Sequence, residues 1–219
     1  MAKVREIFVS IQGEGPYVGY KQLFVRFCGC NLNCSYCDTD FEANKSKNYS
    51  INELQSIINS HKDCHSVSFT GGEPLLDIKY FKELLNGLEI PAYLETNGTL
   101  FENLSEVIDL VTYISADIKL PSCTCLAPLW EDHAKFFEAG NKKNLFAKAV
   151  FDKNITDDEI FKMCNLCKKY GIELILQPKM NGNEMSIDSN FASQILDKCN
   201  VLYKNVRLIP QVHKFLNVE

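Results

Sequence analysis

The spacing of apolar positions divides the chain into short alternating runs and longer runs of helical period. Val4, Ile7 and Val9 mark a first strand over 3–10, and residues 22–27 alternate as a second, with Arg26 on the same side as Phe24. From residue 50 the two periods take turns. Ile51, Leu54, Ile57 and Ile58 form one helical face behind the capping box Ser50-x-x-Glu53. Strand 65–70 follows, then a helix through Ile78, Phe81, Leu84, Leu85 and Leu88 that Gly87 and Pro91 help to end. Strands over 92–95, 111–116, 145–151, 172–176 and 206–209 alternate with helices. Their markers are Leu104, Val107 and Ile108; Trp130, Ala134 and Phe137; Ile160, Met163 and Cys167; and Phe191, Ile195, Leu196 and Cys199. The third of these helices opens on a second capping box, Thr156-x-x-Glu159, and stops at Gly171.

Strand and helix in turn predict an α/β protein with a parallel sheet. A full eight-unit barrel needs about 250 residues. At 219 residues the expectation is therefore an incomplete, modified TIM-like parallel barrel, one domain over 1–219. Polar residues recur just past the predicted strands: the cysteine-rich stretch 28–40, Glu73, Asn97, Lys119, Gln177 and His213. In barrels that face builds the active site, so these scattered residues are expected in one pocket.

Composition narrows the function. The net charge of −5, from 23 basic and 28 acidic residues, disfavours indiscriminate nucleic-acid binding. The amino terminus has no signal-like apolar stretch and no run is long enough for a membrane helix, so a cytoplasmic protein with no membrane partner is expected. Ten cysteines then point to metal chemistry rather than to a disulfide framework. Cys64, Cys164, Cys167 and Cys199 fit core positions, although Cys164-x2-Cys167 also has the spacing of a redox pair. Cys123 and Cys125 share a loop that leaves a further metal site open.

The sharpest chemical signal is Cys30-x3-Cys34-x2-Cys37, three thiolates on one loop, which suits an iron-sulfur cluster or another soft metal centre. The spacing by itself also allows half of a zinc site. Cys28 reads as a rim residue. After the next predicted strand come Gly71-Gly72-Glu73-Pro74, glycines that suit close backbone approach beside a carboxylate. In these residues the chain resembles the radical S-adenosylmethionine superfamily. That resemblance implies a 4Fe-4S cluster on Cys30, Cys34 and Cys37 with one iron left open for S-adenosylmethionine. It also implies cofactor contacts from Gly71, Gly72, Glu73, Asn97, Ser115 and Gln177.

Within the superfamily, Gln12-Gly13-Glu14-Gly15, Arg26-Phe27-Cys28-Gly29-Cys30, Cys37-Asp38-Thr39 and Pro210-Gln211-Val212-His213-Lys214 resemble the 7-carboxy-7-deazaguanine synthase family. The resemblance implies a radical ring contraction of 6-carboxy-5,6,7,8-tetrahydropterin to 7-carboxy-7-deazaguanine with release of ammonia, in the queuosine and deazapurine route. The resemblance assigns no protein side chain the part of a conventional catalytic acid or base. Gln12, Glu14, Arg26 and His213 would meet the pterin, and Thr39 would ligate Mg2+. A reducing flavodoxin or ferredoxin and a homodimer are the implied protein partners. Lys148 is left between a cofactor-side role and an internal ion pair, and Lys119 has no settled place, because Ser115-Ala116-Asp117-Ile118-Lys119 departs from the Ser-Pro-Lys of some families. A glycyl-radical-enzyme activase is the rival reading, and a non-catalytic iron-sulfur or zinc protein the third. Gln12, Glu14, Arg26 and Thr39 favour a compact polar substrate over the activase, and a non-catalytic protein would bind neither S-adenosylmethionine nor pterin.

Overall fold

The computed structural model describes residues 1–37, 46–140 and 143–218. β1 (Ala2–Ile11), β2 (Lys21–Phe27) and β3 (Lys47–Tyr49) open the chain. They are followed by β4 (Ser66–Gly71), β5 (Ala92–Thr96), β6 (Tyr113–Asp117), β7 (Asn144–Phe151) and β8 (Glu173–Pro178). A small hairpin, β9 (Met180–Asn181) and β10 (Glu184–Met185), precedes β11 (Val206–Leu208). All but the hairpin form one nine-stranded sheet in the order β11-β8-β7-β6-β5-β4-β2-β1-β3. From β2 to β11 every neighbouring pair is parallel, whereas β1 pairs antiparallel with both β2 and β3. The sheet is the partial barrel expected from the alternation of periods together with the length of 219 residues.

Helices α1 (Ile51–Asn59), α2 (Ile78–Leu85), α3 (Phe101–Val107), α5 (Trp130–Gly140), α6 (Asp157–Tyr170) and α7 (Ser189–Leu202) connect the strands, with short turns α4 (Pro121–Thr124) and α8 (Val212–Leu216) between or after them. Both capping boxes form reciprocally, Ser50 with Glu53 and Thr156 with Glu159. Gly171 ends α6 at φ +68°, a left-handed conformation open to glycine. Cys164 and Cys167 lie with Ile160 and Met163 on the buried stripe of α6, and Cys64 and Cys199 are buried as well. β3, the β9–β10 hairpin, α4 and α8 carry too few residues to show a period, and the apolar pattern does not announce them. Among the described residues no helix is long and apolar enough to cross a membrane.

The main core lies between the sheet and its helices, around Leu54, Phe69, Phe81, Leu94, Phe137 and Leu176. A second apolar cluster, Tyr93, Phe146 and Ile175, packs with Tyr17 and Tyr113. The Tyr17 ring lies 4.6 Å from Tyr113 and meets Tyr93 edge-on at 5.6 Å. Because β1 runs antiparallel, the loop after it leaves from the level where the parallel strands begin, with Ile11 opposite Lys21. Tyr17 therefore fills that end with aromatic surface, while Gln12 and Glu14 reach toward strands across the fold.

Candidate active site

A cavity of about 410 Å³ is lined by the cysteine loop and by residues at the carboxyl ends of β5 to β8. Cys30, Cys34 and Cys37 all reach it, as do Asn97, Lys119, Gln177 and His213. The cysteine loop is fastened on several sides. The Cys28 N–H donates to the Lys3 carbonyl at 3.0 Å, and Ser35 donates its N–H to Thr124 O at 2.9 Å and its hydroxyl to Cys123 O at 3.0 Å. Asn97 Nδ2 donates to Asn31 Oδ1 at 2.7 Å and to Cys30 Sγ at 3.7 Å, and the Leu32 N–H approaches the same sulfur at 3.4 Å. N–H donors aimed at a sulfur stabilise a thiolate, the form that ligates metal. Burial raises the Cys34 thiol above its ordinary value, with the Lys119 ammonium opposing. Among the described residues no three His, Cys, Asp or Glu side chains close on a point small enough for a single ion. Cys28 sits behind the cavity, and Cys123 is buried while Cys125 is exposed. Asp38, Thr39 and Asp40, and with them the expected Mg2+ ligand, lie outside the described residues.

The double glycine serves the chain as well as the cavity. Gly71 adopts φ +104°, and both glycines abut the start of the cysteine loop, bonded through Gly72 N–H to Phe27 O at 2.9 Å and Glu73 N–H to Gly29 O at 2.8 Å. Glu73 itself is turned inward. Its carboxylate accepts from Leu75 N–H at 3.1 Å, Asn97 N–H at 2.8 Å and Thr96 Oγ1 at 2.9 Å, so it anchors the turn that carries Asn97 instead of lining the cavity wall. Burial pushes the Glu73 carboxyl up to about 7 against those three donors. Ser115 is likewise buried, hydrogen-bonded to Tyr93 beneath the cavity. Gln177 does line the wall, and among the described residues its buried Oε1 has no donor.

The other half of the cavity is a polar network. The Gln12 amide donates to Gln22 Oε1 at 2.9 Å and Glu95 Oε1 at 3.1 Å, and its oxygen accepts the Glu14 N–H at 2.9 Å. Glu95 also accepts from Ser68 at 2.9 Å and Thr70 at 3.0 Å. Glu14 pairs with Lys148 through one oxygen and accepts from Gln211 Nε2 at 2.6 Å through the other. Burial works to raise the Glu14 carboxyl, but Lys148 and Gln211 outweigh it and hold it down at about 2. Lys148 also faces Asp117 at 3.4 Å, so it forms internal ion pairs within the cavity wall. Arg26 lies 3.2 Å from Glu6, its partner across the β1–β2 ladder, with its guanidinium 5.1 Å above the Phe8 ring. His213 packs over Gly13, where a β-carbon would stand 2.3 Å from its Nδ1, and the Val212 N–H bonds Gly13 O at 2.9 Å. The late segment thus meets the first loop.

Four groups of this network, Glu95, Asp117, Lys119 and Gln211, were not assigned ligand roles by the motifs. A charged residue at a strand end is the only signal the sequence offers for the first three.

The sequence profile of the Radical SAM superfamily matches residues 24–186. A curated 7-carboxy-7-deazaguanine synthase from Geobacter sulfurreducens is 34% identical over 98% of this chain and 97% of its own length. One from Archaeoglobus fulgidus is 36% identical over 99% of each. The chain belongs to the radical SAM superfamily and, within it, to the 7-carboxy-7-deazaguanine synthase family. A crystal structure of QueE from Escherichia coli covers 97% of this chain and 94% of its own, with a TM-score of 0.69 at 22% identity, a likeness of fold. The cysteine loop and the Gly-Gly-Glu-Pro turn follow adjacent parallel strands, with Phe27 opposite Gly71.

Proposed function

We propose that this cavity converts 6-carboxy-5,6,7,8-tetrahydropterin to 7-carboxy-7-deazaguanine with loss of ammonia. The observation that carries the reading is that one cavity is lined both by the thiols of Cys30, Cys34 and Cys37 and by the Gln12, Glu14 and Lys148 network. The donor set fits a 4Fe-4S cluster with S-adenosylmethionine: three sulfurs, N–H groups directed at Cys30, and no fourth cysteine on the wall. When bound, the reduced cluster and its cofactor supply a hydrogen-abstracting radical. Gln177 Oε1, an acceptor lacking a donor, suits the amino edge of an adenine.

The residues' own work is recognition and enclosure. A pterin edge presents adjacent amide and amino donors, which a fixed, ionised Glu14 accepts. The Gln12 amide is oriented by Gln22 and Glu95, so the edge it offers is set before the substrate arrives. Arg26 would take the substrate carboxylate with two parallel N–H donors, and Thr39 with that carboxylate would hold Mg2+. His213 closes the same side over Gly13. Anaerobic turnover of the carboxytetrahydropterin by cluster-loaded protein with reductant, with and without Mg2+, tests the reading. Equal yields of ammonia and deazaguanine are expected. Cofactor cleavage that consumes no pterin under these conditions overturns it.

A further inference from the structure

Charges alternate across the floor of the cavity. Glu14, on the first loop, pairs with Lys148 of β7. Lys148 lies 3.4 Å from Oδ1 of Asp117, the last residue of β6, whose Oδ2 is 2.6 Å from Lys119. The Lys119 ammonium is 3.4 Å from the Tyr36 hydroxyl and 5.6 Å from the centre of its ring. Tyr36 stands between Cys34 and Cys37. The line therefore runs from the loop expected to hold the pterin to the loop expected to hold the cluster. Asp117 is its middle member and serves both lysines, one on each oxygen.

The backbones around this line are pinned. Ile118 N–H donates to Lys148 O at 2.7 Å, and Lys119 N–H to His133 Nε2 at 3.1 Å. The side chains are nearly sealed, with Lys148 and Lys119 at 9% and 11% exposure. A carboxylate so placed adjusts by rotation, and a rotation that closes on one ammonium withdraws from the other. Interactions at this depth are little screened by salt. We infer that Asp117 is a positioning residue that couples the two halves of the cavity, so that drawing Lys148 toward a pterin bound at Glu14 resets Lys119 and Tyr36 beside the cysteine loop.

This inference rests on the functional reading above, and its test separates the two. Cluster-loaded protein without reductant is expected to bind both ligands and to turn over neither. The affinity for S-adenosylmethionine is measured by calorimetry with and without saturating carboxytetrahydropterin. The ratio of the two values is expected to be about fivefold or more in the parent protein, within the usual range of coupling between sites. In Asp117→Asn and in Tyr36→Phe, which keeps the ring and removes only the hydroxyl, the ratio is expected to fall below about twofold. Gln211→Met, which touches Glu14 outside the line, should weaken pterin binding and keep the ratio. Retention of the full ratio in Tyr36→Phe, or in an Asp117→Asn protein that binds both ligands, overturns the inference, as does a ratio of one in the parent. Failure of the parent to bind either ligand defeats the functional reading instead.

Discussion

Gly72 lies so close to Gly29 that a β-carbon built on it would stand 1.7 Å from the Gly29 carbonyl oxygen. The contact joins the Gly-Gly-Glu-Pro turn to the start of the cysteine loop, two segments more than forty positions apart in sequence. It explains the second glycine without reference to any ligand, because the obstacle is backbone and cannot swing aside.

Gly72→Ala must therefore move one of the two loops. The shift would cost the Gly72 N–H to Phe27 O bond or the Glu73 N–H to Gly29 O bond. Overpacking of this kind costs roughly 2–3 kcal/mol. We expect a lower denaturation midpoint and a reduced iron content after reconstitution, measured on the same preparation. Full iron loading at unchanged stability would show that the cysteine loop does not depend on this contact.

Lys148→Met tests the electrostatic half. In the parent protein Glu14 sits at about 2, so it is ionised throughout the neutral and mildly acid range. Its depressed value contributes stability that is present above its unfolded value and lost only as pH falls through the folded one. Removing the ammonium leaves the burial of Glu14 opposed chiefly by Gln211, and its carboxyl rises. Pterin affinity, flat between pH 7 and pH 5 in the parent, should then weaken as pH drops across that interval. An unpaired buried carboxylate also costs about 3–5 kcal/mol of stability, read from denaturant unfolding.

The alternation of the main strands and helices was legible because those elements are long enough to show their period, as β3, the β9–β10 hairpin, α4 and α8 are not, and both capping boxes were legible because their partners lie three residues apart. The cavity was legible from strand ends for Asn97, Lys119, Gln177 and His213. Two things were hidden. The direction of β1 is set by pairing with β2, which no local pattern records, and this direction brings Gln12 and Glu14 in from the opposite end. The inward turn of Glu73 was hidden too, since its carboxylate is claimed by Thr96 and Asn97, residues distant in sequence. The choice for Lys148 between a cofactor-side role and an internal ion pair stayed open in the sequence because its partners, Glu14 and Asp117, lie on other segments.

Arg26 offers a cleaner separation of ligands. It is half-exposed, already balanced by Glu6 and laid over Phe8, so truncation should change stability little. Arg26→Ala is expected to lower pterin affinity on the order of tenfold or more and to leave S-adenosylmethionine affinity unchanged. Arg26→Lys should recover only part of the loss, because an ammonium cannot reproduce the two parallel donors of a guanidinium. Calorimetry with each ligand checks both statements, and normal pterin binding by Arg26→Ala would remove the residue from the site.

His133 and Glu73 brace the same turn and should oppose one another in pH dependence. The fully buried His133 ring donates from Nδ1 to Gly98 O at 3.0 Å and accepts the Lys119 N–H on Nε2, a pattern that only the neutral ring satisfies. Burial lowers it to about 4, against the Gly98 carbonyl, which favours the charged form. Between pH 6.5 and 4 the unfolded chain binds a proton that the folded one refuses, so this stabilisation, about 3 kcal/mol in full, is lost as the solution is acidified. Glu73 runs the other way. Raised to about 7, it holds a proton in the fold that the unfolded chain releases above pH 4.5, so its contribution is present below that value and fades as pH rises through 7. The two slopes offset each other in the parent. Relative to it, His133→Asn should grow more stable as pH falls from 7 to 4.5, and Glu73→Gln should grow less stable over the same range, in urea midpoints taken at half-unit steps. Parallel curves for parent and variants would mean that neither group titrates as its burial requires.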